Sequence, residues 1–86
     1  ENIVYDEPVI YPNPGNGIFM IRKNEEMVIE PSVYALYNST GKCLIKESTS
    51  GGETINIDIS SYPEGFYFIL LQNDRQSFVF KYILIR

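Results

Sequence analysis

Apolar residues recur along this chain with the two-residue period of a strand, in short runs broken by Gly, Pro, Asn and Ser. The clearest run is 54–59, where Ile55, Ile57 and Ile59 share one side and Asn56 and Asp58 the other. That alternation predicts a half-buried strand with one wet face. Residues 9–11 read as a short edge strand, closed by Pro12, Asn13, Pro14, Gly15, Asn16 and Gly17, a composition that opposes ladder pairing and favours tight turns. The pattern then predicts a strand over 18–22, a polar turn over 23–26 and a further strand over 27–30 that stops at Pro31. Residues 33–37 and 42–46 pair as a hairpin across 38–41, with Gly41 able to take positive φ where the chain reverses. A polar loop covers 48–53, and Pro63 with Gly65 makes a strong turn over 60–65. Residues 66–71 are apolar on both faces, which predicts a central strand. The last strand covers 78–85: Phe78, Phe80, Tyr82 and Leu84 form one face, and Val79, Ile83 and Ile85, interrupted by Lys81, form the other.

About seven strands at roughly ten-residue spacing, with no helical period and no internal repeat, predict an all-β fold. The expected architecture is an immunoglobulin-like antiparallel β-sandwich, because face-to-face sheets bury one side of every strand. The chain's 86 residues make one domain near the lower size limit, and five Phe and seven Tyr help so short a chain fill a core.

Charge and rare residues then remove whole classes of function. The net charge is −4, and no basic patch suited to phosphates is visible, so nucleic acid is not an expected partner. Glu25 and Glu26 fall in the expected turn and read as a solvated loop. There is no histidine, and the single cysteine, Cys43, reads as a small core or face residue. Ser-His and Cys-His nucleophiles, histidine metal sites and an internal disulfide are thereby ruled out, and the acids cluster in turns and at the N-terminus. Catalysis and cofactors are not expected. Asn56 and Asp58 are too few to hold a cation, and the acceptor pattern Asn38-Ser39-Thr40 is short enough to arise by chance. No apolar run is long enough for a spanning helix. The chain begins without Met or a signal peptide, as a piece of a longer precursor would.

Four segments, in order, carry a resemblance. Tyr11, Pro12, Asn13 and Pro14 are followed by Gly17, Ile18 and Phe19; residues 33–38 are followed by Gly41 and Lys42. Ile57, Asp58, Ile59 and Ser60 precede Pro63, Gly65, Phe66 and Tyr67; Lys81, Tyr82, Ile83, Leu84 and Ile85 lead to the terminal Arg86. In this order and spacing the chain resembles the type A C-terminal sorting domain of proteins exported by the type IX secretion system of Bacteroidetes. Cys43 and Leu44 stand where valine-like residues are usual in that family, and Tyr62 where Leu is common. The likeness runs from residue 11 to 86, leaving 1–10 as linker or an extra edge strand.

The resemblance implies a noncatalytic signal that directs a fused N-terminal passenger from the periplasm across the outer membrane to the surface or medium. It implies the type IX machinery as partner, and a sortase-like surface peptidase that usually removes the domain. The residues themselves suggest a division of labour. Pro12, Pro14, Gly17, Gly41 and Gly65 read as backbone-shaping positions, and Phe66 and Tyr67 as packed ones. The last strand is the candidate for recognition by the translocon: Lys81, Tyr82, Ile83, Leu84, Ile85 and Arg86. Lys81 either guards an edge against aggregation or marks an edge offered for strand addition. An alternative function is a carbohydrate- or surface-binding module of a secreted hydrolase, with Tyr34, Tyr37 and Tyr82 as a stacking platform, though the chain has no Trp.

Overall fold

A computed structural model describes residues 7–29, 31–49 and 51–86 of the chain. Its elements, in order, are β1 (Val9–Tyr11), β2 (Ile18–Arg22), α1 (Glu25–Ile29), β3 (Ser32–Asn38), β4 (Cys43–Thr49), β5 (Thr54–Asp58), β6 (Gly65–Gln72) and β7 (Ser77–Leu84). They form two antiparallel sheets, β1-β2-β5 and β4-β3-β6-β7, packed as the expected sandwich. Alternation decides what goes inside. Phe19 and Ile21 of β2 and Ile55 and Ile57 of β5 meet Leu36, Ile69, Leu71, Tyr82 and Leu84 of the larger sheet. Each aliphatic or aromatic side chain fully covered here contributes about 1.5–3 kcal/mol, the main stabilising term for so small a domain.

The expected strand over 27–30 is not formed; α1 occupies that stretch, and Glu30 lies outside the described residues. Asn24 is the physical reason. Its Oδ1 accepts from the Met27 backbone N–H at 2.8 Å, and its carbonyl accepts from Val28 N at 3.1 Å. An asparagine cap followed by two glutamates in the first turn satisfies orphan donors and suits the helix dipole. The turn places Met27 fully in the core. Glu25 and Glu26 therefore stand on a helical turn and not in a solvated loop, and Glu26 pairs with Arg75 at 2.9 Å.

Lys23 also departs from the expected polar turn: it is buried. Its Nζ donates to Thr49 Oγ1 at 3.1 Å and to the Gly51 carbonyl at 3.0 Å, and desolvation lowers its pKa below the usual lysine range. Cys43 is exposed at the start of β4, where a bulge beside Leu36 and Tyr37 shifts the register, so it is not a core residue. β4 itself runs on to Thr49, past the expected end at residue 46.

Candidate functional site

The expected recognition strand, β7, lies at the edge of the four-stranded sheet with β6 on its inner side. Much of its other edge is closed by the turn that follows β1. The Asn13 side chain donates from Nδ2 to the Lys81 carbonyl at 2.8 Å and accepts at Oδ1 from Ile83 N at 3.1 Å. One step on, Gly15 N donates to the Ile83 carbonyl at 3.0 Å, and the Gly15 carbonyl accepts from Ile85 N at 2.8 Å. An amide side chain carries the same donor and acceptor as a peptide unit, so Asn13 and Gly15 together imitate a short parallel strand. The backbone groups that a further strand would need between 81 and 85 are thus already bonded.

This closure needs small residues at two places. A Cβ on Gly15 would stand 2.5 Å from the Tyr82 hydroxyl. One on Gly17 would stand 2.6 Å from Ser60 Cα and 2.8 Å from Ser60 N, and Gly17 also has φ +105°. Beneath them Tyr82 is fully buried and stacks on Phe19 with ring centroids 4.1 Å apart. Its hydroxyl accepts from Gly17 N at 2.9 Å, so the buried phenol finds a polar partner at the top of the core.

The remaining signature positions build turns. Asn38 Oδ1 accepts from Thr40 N, Thr40 Oγ1 and Lys42 N, which folds the 38–41 reversal around one side chain. Asp58 Oδ1 does the same after β5, accepting from the Ser60 hydroxyl at 2.6 Å and Ser60 N at 3.0 Å. Those two bonds hold the Asp58 carboxyl below its ordinary pKa. Tyr67 is buried and donates its hydroxyl to the Pro63 carbonyl at 2.5 Å, across the turn that Gly65 completes with φ +145°. Gly41 likewise has positive φ. The Arg86 guanidinium donates to the Ser60 and Tyr62 carbonyls, pinning the last residue to that same turn.

The outer face of the four-stranded sheet is different in kind. Outward positions on β6 are Phe66, Phe68, Leu70 and Gln72; opposite them on β7 stand Ile83, Lys81, Val79 and Ser77. Val33, Ala35 and Tyr37 continue the surface on β3, and Lys46 borders it on β4. Phe66 is 47% exposed, Phe68 36% and Val79 68%, and the Lys81 ammonium sits 4.1 Å above the Phe66 ring. The double-apolar pattern of β6 did predict an internal strand, but the structure covers only its Tyr67, Ile69 and Leu71 side. Beside this face, near the β3–β4 turn, lies a cleft of about 380 Å³ lined by Asn38, Leu44, Tyr62, Glu64 and Phe66 among others.

The family model described as the secretion system C-terminal sorting domain matches residues 9–86. The chain belongs to the type IX secretion sorting domains. No curated protein matches it. In this sorting domain the turn signature from Tyr11 to Gly17 and the terminal strand, far apart in sequence, form one structural unit.

The individual residues of the sorting domain then sort themselves by exposure. Of the six terminal residues, Tyr82 and Leu84 belong to the core, Ile83 is half-buried, and Lys81, Ile85 and Arg86 are exposed. Tyr11, Pro12, Asn13, Pro14, Lys42 and Pro63 are exposed as well. The stacking platform of Tyr34, Tyr37 and Tyr82 does not form, because Tyr34 and Tyr82 face the core while Tyr37 faces outward. Gly15 was not singled out by sequence; its position among turn-formers was legible, and its pairing with a strand almost seventy residues later was not. Among the described residues no helix is long and apolar enough to cross a membrane, and no group of three or more acidic or Cys residues is placed to hold a metal.

Proposed function

We propose that this domain directs a larger passenger fused upstream of it across the outer membrane by the type IX machinery, taking no part in any reaction as a catalyst. Removal by a sortase-like peptidase at the cell surface completes the cycle. The observation that carries the reading is the family match over residues 9–86. The bonding of the signature residues supports a signal read as a folded shape, since Asn13, Gly15 and Gly17 act on residues 81–85 and the turn at Ser60.

Residues 81–86 remain the proposed recognition segment, read through exposed side chains. Removing the segment would not test this, because it also removes the buried Tyr82 and Leu84. The direct experiment fuses residues 1–86 to a periplasmic reporter in a bacterium with this secretion system. The reporter is expected outside the outer membrane, shortened by the mass of the domain. Retention in the periplasm, while an established sorting domain exports the same reporter, would refute the proposal.

A further inference from the structure

We infer that the outer face of the four-stranded sheet is where the secretion machinery docks, and that its counterpart is an apolar protein surface bordered by carboxylates. This rests on the sorting reading above and adds to it a place and a chemistry. Antiparallel sheets in sandwiches normally turn a polar face to water. The smaller sheet follows that rule in part, with Arg22, Thr54, Asn56 and Asp58 outward beside Val9, Tyr11, Ile18 and Met20. The larger sheet breaks it: Tyr37, Phe66, Phe68, Leu70, Val79 and Ile83 share one outer surface. Cross-strand pairing of aromatics and β-branched residues is worth about 0.2–1 kcal/mol per pair, which threonine would largely retain without presenting rings to solvent. A contiguous apolar surface of this kind marks an interaction site.

Charge identifies the occupant. The charged residues at outward positions of these four strands are Lys46 and Lys81, with no carboxylate among them, although the chain as a whole carries −4. A partner with acidic groups around an apolar centre is complementary. A second copy stacked face to face would bring four ammonium groups into one apolar seam. An anionic lipid surface gains only about 1 kcal/mol from each lysine near it and is opposed by the net negative charge. The sealed edge of β7 points the same way. With the backbone of 81–85 bonded to Asn13 and Gly15, the terminal strand presents Lys81 and Ile83 on this face.

The test uses the reporter fusion with three chains: wild type, Phe68→Thr/Val79→Thr, and Lys46→Glu/Lys81→Glu. All four positions are exposed, so thermal melting should show folded domains. Both variants are expected to lower the exported fraction at least tenfold, while Thr54→Ala/Asn56→Ala on the opposite outer face leaves it unchanged. Export of both face variants at the wild-type level overturns the inference and leaves the sorting role standing. Failure of the wild-type fusion itself overturns both. Co-sedimentation of the isolated chain with phosphatidylglycerol vesicles, lost in the lysine variant, would replace the protein partner by a membrane. A dimer in sedimentation equilibrium, lost in Phe68→Thr/Val79→Thr, would replace it by a second copy.

Discussion

β7 is treated in opposite ways on its edge and on its outer face. From the Lys81 carbonyl to the Ile85 amide the edge is closed by four hydrogen bonds, two from the Asn13 side chain and two from the Gly15 backbone. The face leaves Val79 exposed and the neighbouring Phe66 and Phe68 partly exposed. An unpaired edge invites indiscriminate strand addition, whereas a patterned surface of side chains can select a partner. The difference teaches that the signature residues around Asn13 protect the strand from the wrong contact and leave its side chains for the right one.

Gly17→Ala should break the seal most severely. Its methyl would meet backbone at 2.6 Å in a conformation that L-residues avoid, and strain of this sort costs about 1–3 kcal/mol before the clash is counted. Urea unfolding should show a loss larger than for any other variant here, a large fraction of a small domain's stability. Tyr82→Phe comes next. It keeps the ring on Phe19 but leaves the buried Gly17 N–H without its acceptor, at a cost of about 1–3 kcal/mol. Asn13→Ala acts on an exposed site and should cost about 1 kcal/mol. Its larger consequence is an opened edge, so light scattering should report self-association that the wild type lacks. Phe68→Thr sits at the other end of the comparison, with a stability change within about 0.5–1 kcal/mol and a large loss of export.

The smallest effect concerns pH. Tyr34 donates its hydroxyl to Glu47 at 2.6 Å. Burial first, then that bond and the Glu47 charge, push its pKa from 10.0 up to about 12. The neutral phenol is the form the fold favours, so its contribution is complete below pH 10 and is lost as pH rises toward 12. Tyr34→Phe should therefore narrow the drop in urea midpoint across that interval; an unchanged drop would show that Tyr34 is neither buried nor bonded to Glu47 in solution.

Strands were legible wherever one face alternated with the other, as in β5, and turns wherever they were written in local residues, as over 38–41 and at Pro63 and Gly65. What escaped was information carried between distant segments. Five residues over 25–29 are too few to display a helical period, and only Asn24, three positions before Met27, hinted at the cap. Lys23 read as polar and solvated because its acceptors, Thr49 and Gly51, come from the end of β4 and the loop after it. The apolar pattern of β6 correctly announced an internal strand, but a pattern cannot tell a face covered by its own fold from one left for a partner. That ambiguity lies at the candidate site itself.

Central to this account is a signal read as a folded shape, and one paired measurement addresses it most directly. The same reporter is fused to the wild-type chain and to Gly17→Ala, and both are scored for the fraction outside the cell. The two chains share every residue from 81 to 86. At a growth temperature above the melting point of the variant domain and below that of the wild type, with the reporter intact, export of the variant should fall to that of the reporter alone. Equal export of both fusions would show that a linear terminal segment is sufficient, and would contradict the account.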